Sequence, residues 1–505
     1  MSASVTGARR RKTRLQQSFR LSSRNVGNRA ARGALMTGYS SLMRVALTIG
    51  STAILARILT PEEFGLAVMA SLVYELITLI GSFGLTAALV RSPRLTRIDF
   101  DTAFWVSIAA GIILGALLLV ASPAVGLVFG DERVVPLVAA LALLPLLEFG
   151  GVVQSATISR LMLFRVDLIV QTAFIGVRSG SAIVFASLGY GVWSLILGGL
   201  VGRAACVVMS WIAVPYLPRL RFSRRFLRGS LKFSTRVLID NVIWYVHSNI
   251  DYFIVGRVLG PIPLGFYQAG YRLADELKNR VIGPLQKVLF PAFATLRTEP
   301  KRLADAYLRA VRILAVLLAP IGLGMAAVAS DIVHVLYGSG WEQAATVMSL
   351  LGPFVVFRAA LGAPTSSLLL ASDMMGTSIR FQLYGLILSA VFAVAGIPWG
   401  VVGVAAGVGV SSVVWMPIVI RSMKTRIGVP PAALLFALGL PFAAGTVMFA
   451  AVSAAAAMVP PDVVHRIVRL AVLVLFGAGV YAVTLWTIAR THVLQVREAL
   501  GAMRR

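Results

Sequence analysis

Fourteen long apolar runs, spread from Ala34 to Ile488 and separated by short polar segments, restrict this chain more than any other feature. They fall at 35–58, 62–90, 102–122, 135–159, 166–187, 190–215, 231–259, 264–295, 304–329, 341–371, 376–396, 398–420, 431–458 and 466–489. A helix of about 20 apolar residues crosses roughly 30 Å of hydrocarbon. Inside a bilayer no water satisfies the backbone, so a spanning segment is either a helix or a strand of a closed barrel. Barrel strands are about ten residues long and alternate apolar with polar side chains, whereas these runs are longer and apolar almost throughout. Charged residues are only 13% of the chain, about half the roughly 25% of a soluble domain, and the mean hydropathy is +0.86. The expected fold class is an all-α integral membrane protein with about 14 transmembrane helices.

The polar segments orient these helices. Arg91, Arg94 and Arg97 follow the second run, Arg160 and Arg165 the fourth, and Arg421, Lys424 and Arg426 the twelfth. The most basic internal stretch, from Arg219 to Lys232, follows the sixth. Intervening turns such as Thr60-Pro61-Glu62-Glu63 and Gly260-Pro261-Ile262-Pro263 carry no Lys or Arg, and the exceptions, Arg133 and Arg466, each have an acid close by. Basic residues are retained on the cytosolic side, so the alternation predicts that both termini are cytosolic. Residues 1–33 hold nine Lys/Arg and no acid, without the apolar core and cleavage site of a secretory signal, and read as a disordered basic cytosolic tail. The formal charge of +27 is accounted for by this bias and by anionic lipid, so no nucleic-acid partner is expected. One cysteine, Cys206, and four scattered histidines leave no basis for a disulfide or a metal centre, and no cofactor is expected.

Ile54-Leu55-Ala56-Arg57-Ile58-Leu59-Thr60-Pro61-Glu62-Glu63-Phe64-Gly65 recurs 200 residues later as Ile254-Val255-Gly256-Arg257-Val258-Leu259-Gly260-Pro261-Ile262-Pro263-Leu264-Gly265. Each copy ends one long run, turns at the proline and opens the next. Six helices separate the copies, an even number, so both halves share one orientation, as in transporters built from parallel repeats. The expected organisation is an N-terminal six-helix bundle at 34–215, a basic cytosolic connector at 216–230 and a C-terminal six-helix bundle at 231–420. A basic loop at 421–430, two additional helices within 431–489 and a basic tail at 490–505 complete it.

Three stretches resemble a known family: Arg57 to Gly65, Asp251-Tyr252-Phe253-Ile254-Val255-Gly256-Arg257 running on to Gly265-Phe266-Tyr267, and Leu336-Tyr337-Gly338-Ser339-Gly340-Trp341. With the helix pattern they resemble the Wzx-type O-antigen and exopolysaccharide repeat-unit flippases. These form the polysaccharide branch of the multidrug/oligosaccharidyl-lipid/polysaccharide flippase superfamily. The resemblance implies two pseudo-symmetric six-helix bundles plus two C-terminal helices. It also implies export of undecaprenyl-pyrophosphate-linked oligosaccharide for lipopolysaccharide or exopolysaccharide synthesis, by alternating access. Its implied partners are that lipid-linked substrate, membrane lipids and the polysaccharide polymerase and export machinery.

Charges within spans cost at least ~2.5–3.5 kcal/mol on insertion scales, so those that persist face partners or a hydrated cavity. Arg236, Asp240, His247 and Asp251 are spaced to share one face of the seventh helix, and Arg272, Asp275, Glu276 and Asn279 one face of the eighth. Substrate-cavity candidates are Arg44, Arg178, Arg203, Asp240, His247, Asp251, Arg272 and Arg358. The arginines suit a diphosphate, because guanidinium offers phosphate oxygens a fixed fork of donors. Glu75, Asp275 and Glu276 are candidates for binding a coupling ion. The bland alternative for each is a structural ion pair or a side chain snorkelling to the interface.

Two other functional readings compete. A lipid II flippase or a drug/cation antiporter would share the fold, although an antiporter of cations needs little arginine. A membrane-embedded polymerase or ligase needs a catalytic loop or donor-binding domain, and no segment between runs is long enough, so no enzyme activity is expected.

Overall fold

A computed structural model describes residues 43–81, 86, 89–90, 95–459 and 465–488, with side chains at 228–237 not described. The regular elements among the described residues are helices. In chain order they are α1 (43–58), α2 (Pro61–Gly81), α3 (Arg97–Phe129), α4 (Val134–Leu141), α5 (Leu143–Phe149) and α6 (Val152–Arg160). There follow α7 (Phe164–Ser187), α8 (Trp193–Ala213), α9 (Arg224–Ile254), α10 (Pro261–Leu296), α11 (Pro300–Ala327) and α12 (Ala329–Tyr337). The last five are α13 (Glu342–Ala371), α14 (Met375–Gly396), α15 (Gly400–Ile427), α16 (Pro431–Met458) and α17 (Arg466–Ile488). The basic tails at 1–33 and 490–505 lie outside the described residues.

Among the described residues 9 helices are long and apolar enough to cross a membrane, or 10 if one bent pair is counted. The chain is a multi-pass membrane protein. α9 and α10 match the expected seventh and eighth helices but carry too many charges to count as apolar spans. The expected continuous helix at 135–159 is broken into α4, α5 and α6, with a bend of 42° before Val152. Pro145 lacks a backbone donor, and the Gly150-Gly151 pair gives the helix no side chains to hold it straight. The short helix α12 was not expected; apolar run length does not report a nine-residue helix between two spans.

Capping explains several helix starts. Thr60 and Glu63 form a reciprocal cap: the Thr60 N–H donates to Glu63 Oε2 at 2.7 Å, and the Glu63 N–H donates to Thr60 Oγ1 at 3.3 Å. Proline opens α10, α11 and α16, where the first N–H has no helical partner to lose. Where the second copy of the repeat has Gly260 in place of Thr60, the backbone takes φ +89°, which only glycine adopts without strain.

The described chain forms two compact units. The first comprises the described residues within Met1–Ser51, Ile77–Pro123 and Val135–Leu238. In it α7 and α8 pack backbone to backbone, because a Cβ on Gly198 would lie 2.6 Å from that of Ala182, and one on Gly202 2.5 Å from that of Arg178. The segment after α8 is strapped along α3: Tyr216 donates to Asp101, the Arg219 N–H donates to Asp101 Oδ1 at 3.1 Å, and Trp105 Nε1 donates to the Arg219 carbonyl at 3.1 Å. Leu89, Phe100, Phe104 and Val153 form the adjoining apolar core.

The second unit comprises the described residues within Thr52–Leu76, Ala124–Val134 and Ile239–Arg505. Its core is built on α11, α13, α15 and α16 around Tyr307, Leu314, Leu318, Leu361 and Leu434. α16 and α17 pack on α11 through Met448, Val452, Leu473 and Tyr481. The buried pair Arg469–Asp331 ties α17 to α12, and Arg469 also donates to the Ala456 carbonyl at 2.7 Å. Leu475, Val483 and many other aliphatic side chains stay exposed, as expected of a surface bathed in lipid.

Candidate functional site

Both copies of the repeated turn lie in the second unit and pack on each other. A Cβ on Gly65 would overlap the Pro261 carbonyl, and a Cβ on Gly265 would overlap the Pro61 carbonyl. The arginines reach beyond the turns. Arg57 donates to the Val335 carbonyl at 2.8 Å beside Gly338, and the Arg257 guanidinium lies close to Gly130. Gly338 and Gly130 both adopt positive φ, at +87° and +72°. Trp341 Nε1 donates to the Ala56 carbonyl at 3.0 Å, so all three stretches that suggested a family resemblance meet here as structure. Beyond Gly130, Arg133 bridges Asp131 at 2.7 Å and Glu62 at 2.8 Å, and its hydrogen bond holds the Asp131 carboxyl below the usual range.

Below this junction the second unit contains a polar seam. Asp251 is buried and accepts a hydrogen bond from the Tyr267 hydroxyl at 2.6 Å. The two residues are equidistant from Leu259, the last residue of the π turn Val255–Leu259 that closes α9, and such positions meet at one depth in a helical hairpin. One turn back along α9, the buried His247 ring accepts from the Arg358 guanidinium of α13. Arg358 also lies 5.7 Å from the Trp415 ring centroid, within cation–π range. No carboxylate among the described residues is within ion-pair distance of Arg358. Gly385 of α14 lines the same spot, where a Cβ would meet the His247 ring and lie 3.3 Å from Arg358 Nη2. Farther along, Asp240 accepts from Gln382 Nε2 at 2.8 Å and from the Ser378 hydroxyl at 3.5 Å.

The seam therefore gathers Asp240, His247, Asp251 and Arg358. The other candidates are placed differently. Arg203 pairs with Glu148 at 3.5 Å and lies over the Phe174 ring, in the first unit. Arg178, also there, is exposed and packs its stem on Gly202. Arg44 is half-buried on α1, where Ser51 receives a hydrogen bond from Ser179 at 3.0 Å. Asp275 pairs with Lys278 and Glu276 with Arg280, each on its own helix. Glu75 accepts from the Tyr245 hydroxyl at 3.3 Å, and Arg272 makes no ion pair among the described residues. The side chain of Arg236 lies outside the described residues.

Sequence spacing missed Tyr267, Trp415, Gln382 and Gly385. The hairpin register about Leu259 could have found Tyr267. The others arrive from α14 and α15, whose alignment against α9 has no local signal. Among the described residues no group of three or more His, Cys, Asp or Glu could hold a metal.

Comparison with known proteins agrees with this architecture. Over 298 residues the chain is 30% identical to the succinoglycan biosynthesis transport protein ExoT of Rhizobium meliloti strain 1021, covering 59% of this chain and 60% of that relative. The match thus spans less than two thirds of ExoT. The lipopolysaccharide biosynthesis protein WzxC of Escherichia coli K12 is 23% identical over 354 residues, 70% of this chain and 72% of WzxC. In three dimensions the chain is similar to the lipid II flippase MurJ in its inward closed conformation. The TM-score is 0.71 at 13% identity, covering 91% of this chain and 99% of MurJ. At that identity the likeness speaks for the fold. Residues 54–346, more than half of the sequence and the part that holds both repeated turns and the Trp341 motif, match the family described as polysaccharide biosynthesis protein. The chain belongs to the polysaccharide biosynthesis protein family.

Proposed function

We propose that the protein is a flippase that moves an undecaprenyl-pyrophosphate-linked oligosaccharide across the bacterial inner membrane, using Arg358 to hold the diphosphate. The supporting observation is the state of Arg358. It is carried into the spans on α13 and held against a histidine ring and an indole, with no carboxylate among the described residues in ion-pair contact. A charge within a span is costly even when half-buried, as Arg358 is, and a phosphate that enters with its sugar would give it a directly paired anion. Guanidinium matches phosphate oxygens with a planar fork. Asp240, on the same helix as Asp251, is half-buried and held by neutral donors, so it stays available as an acceptor for a sugar hydroxyl or a coupling ion, whereas Asp251 is buried and engaged by Tyr267.

In this reading six-helix halves at 34–215 and 231–420 alternate in access, both termini are cytosolic, and the bonds of the cargo are left intact. The names of ExoT and WzxC, a transport protein and a lipopolysaccharide biosynthesis protein, support this class of cargo. The fold likeness to MurJ supports lipid II as a second reading, since its headgroup presents the same diphosphate.

The deciding experiment is leaflet-resolved flipping in proteoliposomes with defined lipid-diphosphate glycans. The expected result is protein-dependent translocation that Arg358→Ala abolishes. Translocation of lipid II alone would move the assignment to the second reading, and full activity of the variant would remove Arg358 from the mechanism.

A further inference from the structure

We propose that the open end of the α14–α15 hairpin is a binding site for an anionic glycerophospholipid, which the protein takes headgroup first. The two helices are joined by a tight turn at Ile397–Trp399, where Gly396 and Gly403 let the backbones touch. At the opposite end they part around a cavity of ≈ 280 Å³. Its polar side is formed by Arg380 of α14 and by Arg421, Ser422 and Arg426 of α15. Phe381, Tyr384 and Ile418 form its apolar side.

Three features point to a bound phosphate ester. Arg380 uses Nε to donate to the Gly376 carbonyl at 3.2 Å, and Arg426 uses Nε to donate to the Ser422 hydroxyl at 3.2 Å. These bonds hold each guanidinium in place; Arg426 Nη1 also donates to Met374 Sδ at 3.6 Å, which leaves Nη2 of Arg426 and both terminal nitrogens of Arg380 to face a ligand. Among the described residues no carboxylate pairs with any of the three arginines, although three like charges around one cavity repel one another. An anion removes that repulsion and accepts from all three forks.

Two further features identify the source of that phosphate as lipid. From Gly400 to Ile420, α15 rises about 31 Å at 1.5 Å per residue, the thickness of the hydrocarbon. Arg421 therefore begins where headgroups lie, and Trp399, 74% exposed, marks the other interface. Moreover, Arg380 continues down α14 into an exposed ridge of Tyr384, Ile387 and Val391, along which an acyl chain can lie. Gln382, two residues from Arg380 and so on nearly the opposite face, points to Asp240. The cavity thus opens away from the polar seam. Basic pockets between spans are recognised headgroup sites, and this assignment does not depend on the transport reading.

Native mass spectrometry of the full-length protein in mild detergent tests it. Protein is titrated separately with phosphatidylglycerol, phosphatidylcholine and inorganic pyrophosphate. One phosphatidylglycerol should be retained, and R380Q/R421Q/R426Q should retain it roughly 100-fold more weakly. Arg421→Lys should retain it within about threefold, because its charge remains. The exposed control Arg302→Gln should behave as wild type. Monodispersity on size exclusion checks folding, and the three single variants replace the triple one if it aggregates. Wild-type retention by R380Q/R421Q/R426Q, or by all three single glutamine variants where they replace it, or equal binding of phosphatidylcholine, would overturn the proposal. Arginine-dependent binding of pyrophosphate without phosphatidylglycerol would overturn the lipid assignment and mark a free-phosphate site.

Discussion

Gly65 lies on the carbonyl of Pro261, and Gly265 lies on the carbonyl of Pro61, so each copy of the repeated turn closes on the other with no room for a side chain. The contact is reciprocal: each copy of the turn offers its glycine to the proline carbonyl of the other. Gly65→Ala and Gly265→Ala should each destabilise the protein by about 1–3 kcal/mol, the usual cost of overpacking. Gly176→Ala on α7, where a Cβ meets nothing within 4 Å, is the control. Thermal melts in one detergent check the order: both turn variants below wild type, the control at or above it.

Gly385 performs a similar role in the polar seam. Gly385→Ala should push the His247 ring away from Arg358 and so disturb the guanidinium without removing it. Polysaccharide export in a complementation assay should fall sharply while membrane levels stay near wild type. Arg358→Lys should also fail, because an ammonium cannot reproduce the fork or its stacking on Trp415. Export at wild-type levels from both variants would show that the seam does not handle the cargo.

Asp331 and Arg469 are both buried, with side-chain exposures of 5% and 10%. Removing one partner strands the other, which costs about 3–5 kcal/mol for buried pairs. Asp331→Ala and Arg469→Ala should therefore lower the melting temperature more than the double variant does relative to their sum. Limited proteolysis near residue 465 should show α17 loosening in both single variants. Additive effects would mean that the pair is not coupled.

The reciprocal cap on α2 should contribute less. Thr60→Ala removes a side-chain acceptor and should cost about 0.5–2 kcal/mol. Thr60→Gly should cost only a few tenths of a kcal/mol, matching Gly260 in the second copy. A melt in which the glycine variant is the worse of the two would refute the capping account.

Apolar runs, basic loops and the 200-residue repeat were legible because they arise from local chemistry: the bilayer selects helix length and the charges select side. The family resemblance rested on three short stretches, and Trp341, Arg57 and the Pro261 turn meet in space as one junction. The candidate charges were legible as a set but not as a site. Arg203, Asp275 and Glu276 are charges within expected spans just as Arg358 is, yet each has an acidic or basic partner nearby.

Sequence alone determined that this chain crosses a membrane repeatedly, that one turn motif recurs after 200 residues, and that charges remain among the apolar runs, because hydropathy and periodicity are properties of neighbouring residues. Tertiary structure decided which charges are neutralised and which are not. It put His247, Trp415 and Gly385 around one guanidinium, broke the helix at Gly150-Gly151, and brought two glycines 200 residues apart onto each other's prolines. Those outcomes depend on how helices distant in sequence align. In a low-dielectric interior, the electrostatic state of an ion depends on what lies within a few ångströms of it.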